Sequence, residues 1–183
     1  MQQRGHSILF TVREKEMTLQ LLVRFGFKHS VYMKSGKGTF RKFLSLPKTV
    51  RRLFSIIRDF DADITLSHSS VWLAQASWLA GVPNITLEDT GNAEQVLFYK
   101  PFTRVMLTPD CYPKRAGGKH LSYAGYHELF YLHPKRFQPI NKSEFNKGNS
   151  YALVRFSAWD ASHDIGKRRL SKAQKTMLIK QLS

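Results

Sequence analysis

Four short polar clusters hold the side chains in this sequence that could do chemistry: Thr11 with Arg13, Ser67-His68-Ser69-Ser70, Glu88-Asp89-Thr90-Gly91-Asn92 and Thr108-Pro109-Asp110. An imidazole such as His68 takes up or gives up a proton near neutral pH. A carboxylate such as Asp89 serves as a base or accepts hydrogen bonds from sugar hydroxyls, and Glu88 has the same options. His68 and Asp89 are the candidate catalytic residues, and Ser69, Glu88, Asn92 and Glu94 are the ligand-binding candidates beside them. A plainer reading stays open: Ser69 or Ser70 caps one helix, and Asp89 or Asn92 caps the next.

Clusters this far apart meet only if the chain alternates strands with helices. Residues 7–12 read as a strand, and 14–25 as a helix with Met17, Leu21, Leu22 and Phe25 on one face. Gly26 ends that helix and residues 29–33 form the next strand. Residues 40–60 are helical, with Pro47 opening a new first turn; Val50, Leu53, Phe54 and Ile57 share a face opposite Lys48, Arg51, Arg52 and Arg58. A strand at 63–67 leads to a helix at 70–80, apolar nearly all round and so expected to be buried. Gly81 and Pro83 stop it before a strand at 84–87, a short helix at 92–99 and a strand at 104–107. This order predicts a parallel sheet with helices on both faces, and three of the four clusters open just where a strand ends or beyond it. Ligands of open α/β sheets bind outside the carboxyl ends of the strands.

The texture changes after Asp110. Residues 112–122 read as a Pro, Gly and Lys-rich loop, 123–132 as an aromatic stretch without clear type, and 133–150 as a linker. Residues 151–156 look like a fresh strand, and Ser171 with Gln174 is a capping box for a final helix. One strand and one helix close no core. The expected domains are therefore 1–132, a linker at 133–150, and an opening fragment of a second domain at 151–183. Arg4-Gly5-His6 reads either as a short leader or as the loop after a helix, with a first strand lying ahead of it.

Composition narrows the function classes. The 183 residues are 42% hydrophobic, and no run approaches the roughly 18 apolar residues of a membrane span. The start of the sequence has no apolar signal core, so a cytoplasmic location is expected. The single cysteine, Cys111, excludes an internal disulfide framework and a cysteine zinc cluster. The net charge of +16 resolves into two acid-free tracts, 34–58 and 167–180, holding eight and six of the 29 basic residues. The other 15 basic residues stand against 13 acidic ones, a body near neutrality. Lys37, Arg41, Lys42, Arg51 and Arg52 in the first tract form an anion-facing set, suited to the surface of an anionic membrane. Nucleic acid is the alternative partner, but the basic residues lie away from the strand-end clusters and no aromatic-basic recognition motif accompanies them.

Several motifs fail on inspection. The Ser35-Gly36-Lys37-Gly38-Thr39 run has Val31 where a phosphate-binding loop needs its first glycine. His120, His127 and His133 have no metal-ligand spacing, so no metal is expected. Asn84-Ile85-Thr86 and Asn141-Lys142-Ser143 match the glycosylation sequon but carry no meaning in a cytoplasmic protein. No G-x-S-x-G elbow is present for a serine hydrolase.

Several motifs taken in order do point somewhere. Arg4-Gly5-His6, Ser67-His68-Ser69-Ser70, Gly81-Val82-Pro83, the 88–94 segment, Thr108-Pro109, the 125–133 stretch and Val154-Arg155-Phe156 resemble the family called domain of unknown function 354. That family is similar to GT-B glycosyltransferases and to UDP-N-acetylglucosamine 2-epimerases. The resemblance implies an α/β, GT-B-like fold: a Rossmann-like acceptor-side domain lacking its first strand, then the start of a donor-side domain. It places His68, Ser69, Glu88, Asp89, Asn92 and Glu94 on the acceptor side and Arg155, Ser157 and His163 on the donor-side rim. It implies a nucleotide-sugar as substrate rather than any cofactor, with a glycan or lipid-linked acceptor. The expected function is that of a partial glycosyltransferase-related protein of surface-polysaccharide biosynthesis, inactive as a fragment. A 2-epimerase relative and a basic nucleic-acid-binding module are the alternatives.

Overall fold

Strand β1 (Phe10–Arg13) leads through α1 (Glu16–Arg24) to β2 (His29–Met33), and the two strands pair in parallel. Helix α2 (Leu46–Asp59) crosses to β3 (Thr65–His68), and α3 (Val71–Ala80) follows. Then come β4 (Asn84–Leu87), α4 (Ala93–Tyr99), β5 (Val105–Pro109) and β6 (His120–Tyr123). The last four strands make a second parallel sheet in the order β3-β4-β5-β6. The computed structural model describes residues 2–14, 16–33, 46–89, 93–112, 117–135, 137–139, 152–156 and 170–182. The chain divides into two units, Met1–His133 and Pro134–Ser183.

Sequence explains the helices locally. Pro47 sits in the first turn of α2, where its missing N–H costs nothing. Val50, Leu53 and Ile57 are buried at helical spacing, while Lys48, Arg51, Arg52 and Arg58 are exposed. Ser70 caps α3 by accepting the Leu73 N–H at 3.3 Å. Gly81 closes it with φ +73, a left-handed conformation that a side chain resists. Leu53, Ile57, Leu73 and Ala76 then interlock α2 and α3, and Ala74, Tyr99 and Met106 join α3 to α4 and β5.

Several expectations are corrected. Helix α3 is not buried all round: Trp78 and Leu79 are 60% and 55% exposed, because the side facing α2, α4 and the sheet is the one that meets other elements. The 112–122 loop contains part of a strand. His120–Tyr123 gains a parallel ladder to β5, which outweighs the Gly and Lys content around it. The first strand is shorter than expected, and Met17 and Leu21 of α1, with Phe25 just beyond it, are exposed rather than packed. Residues 152–156 form no strand, since a strand needs a pairing edge and the described residues of their unit offer none.

The second unit is described by residues 134–135, 137–139, 152–156 and 170–182. Helix α5 (Leu129–Leu132) ends the first unit, and α6 (Lys172–Leu182) is the helix of the second. The capping box forms as the sequence indicates: the Ser171 N–H donates to Gln174 Oε1 at 2.8 Å, and the Gln174 N–H to Ser171 Oγ at 3.2 Å. Lys175 lies over the Phe156 ring, 5.3 Å from its centre. None of the described residues of this unit is buried. Among the described residues, no helix is long and apolar enough to cross a membrane.

Candidate functional site

The β3–β4 register places the site. Thr65 pairs with Asn84 and His68 with Leu87, so both strands end level and the chain beyond β4 delivers Glu88 and Asp89 beside His68. His68 Nε2 and Asp89 Oδ1 are 3.0 Å apart, and both side chains keep solvent access, 43% and 28% exposed. The third member, His127, arrives from beyond β6. Gly125 turns the chain there with φ +113, and a side chain at that position would come within 2.7 Å of Leu129 Cδ1. The turn brings the His127 ring to 4.8 Å from the His68 ring and 5.0 Å from Phe130. Tyr123 packs on Phe130 at 5.4 Å, and burial, then the nearby Asp89 charge, pushes its phenol above the ordinary range.

His68, Asp89 and His127 hold their ligand atoms within 4.8 Å of one another. Two imidazoles and a carboxylate suit zinc or a similar divalent cation. The same groups also form a hydrogen-bonded His68–Asp89 pair beside the tilted His127 ring. The sequence groups His127 with His120 and His133, a set without metal-ligand spacing; the fold brings it to His68 and Asp89 instead. His120 bonds Thr108 Oγ1 at 2.5 Å across the β5–β6 edge.

Below this pair the chain is rigidly bonded. Ser69 adopts φ +50, an uncommon and costly conformation for a serine. Its hydroxyl donates to Glu88 Oε2 at 2.6 Å, and the Tyr99 hydroxyl donates to the same oxygen at 2.5 Å. Glu88 is only 1% exposed, so this carboxylate fixes the turns after β3 and β4 and is not presented to solvent. Burial first, then the bond to Glu88, drives the Tyr99 phenol far above its ordinary 10.0, which keeps it a neutral donor. Sequence reasoning chose Ser69 and Glu88 as ligand contacts and missed Tyr99. The available signal was a tyrosine at the end of the short helix that follows Glu88 in the chain.

A second buried network underlies β3 and β4. Ser67 Oγ bonds Thr86 Oγ1 at 3.2 Å, Thr86 donates to Asn84 Oδ1 at 2.8 Å, and Asn84 Nδ2 donates to Thr65 Oγ1 at 2.8 Å. Thr65 bonds Ser77 at 2.7 Å, and Ser77 donates to the Leu73 carbonyl at 2.6 Å. Thr103 Oγ1 also donates to Asn84 Oδ1, at 3.1 Å. Directed this way each hydroxyl spends its one proton, and no buried side-chain polar atom among the described residues lacks a partner. The Asn84-Ile85-Thr86 sequon is thus a core device: Asn84 is 1% exposed and Thr86 0%.

The other candidates fall in different places. Glu94 lies in the first turn of α4, and Arg155 is exposed in the second unit. Arg51 and Arg52 are exposed on α2, with Arg52 Nε donating to the Val31 carbonyl at 3.2 Å. Asn92, Ser157, His163, Lys37, Arg41 and Lys42 lie outside the described residues, as does most of the 133–150 linker. A larger groove of about 1050 Å³ opens at the opposite, amino end of β4–β6, lined by Trp78, Val82, Pro83, Phe102, Lys119 and Leu121. It holds no carboxylate or imidazole, so size there does not mark the chemistry.

No protein-family model matches the chain, and no curated protein matches it. Among solved structures the chain is similar to Acinetobacter baumannii MurG, with a TM-score of 0.53 at 14% identity over 78% of this chain. The match covers 40% of the MurG chain, so this chain spans well under half of that protein. At that identity the likeness is one of fold, and it agrees with the α/β, GT-B-like class read from the sequence.

Proposed function

We propose that this chain supplies the acceptor-side half of a GT-B glycosyltransferase-like enzyme of cell-surface polysaccharide assembly. MurG is a GT-B glycosyltransferase, and the observation that carries the reading is the His68–Asp89 pair at 3.0 Å on the carboxyl ends of β3 and β4. With Nε2–H donated to Asp89, His68 Nδ1 is left with a lone pair for an acceptor hydroxyl. The hydroxyl oxygen forms the new bond to the anomeric carbon, its proton passes to Nδ1, and the sugar–phosphate bond breaks to release the nucleoside diphosphate. Asp89 stabilises the imidazolium that results, as the carboxylate of a catalytic triad does. Ser69, Glu88 and Tyr99 act as positioning residues that hold the two turns in place. Arg155, Ser157 and His163 belong to the donor side of this reading, and Asn92 and Glu94 to the acceptor side. The exposed Arg51 and Arg52, with Lys37, Arg41 and Lys42, give the same protein an anionic-membrane contact at which lipid-linked acceptors are found.

Saturation-transfer NMR with soluble disaccharides tests the site. Binding that is lost in His68→Ala and kept in Asp89→Asn supports the reading, because Asp89 orients the base without holding the sugar. Binding indifferent to His68→Ala removes it. UDP-N-acetylglucosamine incubated with the chain alone is expected to stay intact. Released UDP would show that the donor half is not needed, and a recovered 2-epimer would move the pair to epimerase chemistry.

A further inference from the structure

Three segments far apart in the chain put nitrogen and oxygen donors around one point. His68 ends β3, Asp89 follows β4 by two residues, and His127 comes just after the Gly125 turn. One ligand atom from each lies within 4.8 Å of the other two. A base with its orienting carboxylate needs only His68 and Asp89. The His127 ring, 4.8 Å from that of His68, adds nothing to such a pair, and two imidazoles this close repel when both are protonated. A divalent cation uses all three groups, since it takes neutral imidazoles and a carboxylate together.

The distances fit. Bonds of about 2.0–2.1 Å to a tetrahedral zinc set ligand atoms about 3.3–3.4 Å apart. His68 Nε2 and Asp89 Oδ1 already stand at 3.0 Å. His127 is half-buried, and rotation about its side-chain bonds closes the remaining distance of about 1.5 Å or less. Its Nδ1 is 3.4 Å from the Tyr123 hydroxyl, so Nδ1–H donates to that oxygen and Nε2 carries the lone pair for an ion.

The surroundings suit a cation. After burial, the charges of Asp89, Cys111 and Glu128 act on the Tyr123 phenol, and Asp110 Oδ1 accepts the Gly125 N–H at 3.3 Å. Three carboxylates thus gather at this turn in a chain whose net charge is +16. The Ser69 and Tyr99 bonds to Glu88 hold the backbone beside His68 and Asp89, so two of the three donors are placed before an ion arrives. His68 also lines a cavity of about 220 Å³ between the two sheets, with Thr11, Tyr32, Leu53 and Ser67, which leaves room for solvent beside the ring.

We propose that His68 Nε2, Asp89 and His127 Nε2 bind a divalent cation of the zinc class, with a fourth position open to water. The site stands on this geometry and not on the glycosyl-transfer reading. One consequence does rest on that reading: an ion on Nε2 leaves the His68 proton on Nδ1, the atom that would take the acceptor proton, so the zinc-bound form lacks its base.

The test is titration of zinc alone into the full chain, followed by calorimetry, with Cys111→Ser in every sample to remove the exposed thiol as a competing ligand. One equivalent should bind, and His68→Ala, Asp89→Asn and His127→Ala should each weaken it by about tenfold or more. His6→Ala should leave it unchanged. In NMR of the unsubstituted histidines, zinc should shift the His68 and His127 ring signals, a reading that depends on no variant folding. Absence of binding overturns the site. So does an affinity indifferent to His127→Ala, or shifts confined to other histidines, either of which marks an adventitious ion only. The disaccharide experiment above is run without zinc, so the two readings fail separately.

Discussion

The four-stranded sheet and the β1–β2 pair are built from the same kind of parallel strand, yet they are held in different ways. In the former, Thr65, Ser67, Asn84, Thr86, Met106 and Thr108 are buried, and a chain of hydroxyls and an amide ties β3 and β4 to α3. In the latter, Val12 is the only buried residue described between Phe10 and Met33, and every residue of β2 is half-buried. A parallel strand is stable when both faces and both edges are covered. Among the described residues the first sheet has most of that cover, and the pair has less. The site sits on the well-held side of the boundary, which suits side chains that must keep a 3.0 Å geometry.

The comparison is broken most severely at Leu53, a core side chain that, like Leu73, serves both regions. It is 1% exposed in the α2–α3 core and also lines the cavity between the sheets. Leu53→Ala should cost about 2–5 kcal/mol in urea unfolding and loosen both sheets together. A loss confined to β1 and β2 amides would show that α2 supports the pair alone. Asn84→Ala is the selective test. It takes one donor from Thr65, which keeps Ser77, and removes the acceptor shared by the Thr86 and Thr103 hydroxyls, at about 2–4 kcal/mol, with β3–β5 amides losing protection and β1–β2 amides unchanged.

Tyr99→Phe should be milder, about 1–3 kcal/mol, since Ser69 still donates to Glu88. It carries a pH signature. Folding raises the Tyr99 pKa above its unfolded 10.0, so the folded chain holds that proton more tightly. Its contribution is complete below pH 10 and declines as pH rises beyond that value. Denaturant midpoints measured from pH 8 to 11.5 should fall at the alkaline end, and fall less steeply in Tyr99→Phe. Tyr32, Tyr112 and Tyr123, also raised by burial, contribute to the remaining slope.

What the sequence made legible divides along the same boundary. The 84–87 strand, the Ser70 cap, the Gly81 stop and the Val50, Leu53, Ile57 face follow from local chemistry, and the structure has each of them. His68 and Asp89 were also legible, because residues just past parallel strands converge whatever the rest of the fold does. Three things were not. Strand β6 depends on an edge that β5 provides. The Tyr99–Glu88 bond joins residues whose facing depends on how α4 lies on the sheet. His127 comes to His68 through a glycine turn, and no periodicity encodes its direction. The exposed face of α1 shows the converse: its pattern in the sequence is plain, and the surface to receive it is not among the described residues.

The smallest expected effect is at the site itself. Asp89 is 28% exposed and His68 43%, so their contact gains little over hydration, and Asp89→Asn should change stability by less than about 1 kcal/mol. Asparagine keeps the shape and loses the charge. If the pair is there to hold the ring, the His68 imidazole in this variant should become mobile, seen as loss of its contact with His127 in NMR, while the unfolding midpoint stays put. A substantial drop in the midpoint would mean instead that the pair helps to hold the sheet, and the contrast between a rigid scaffold and an exposed working pair would fail at its centre.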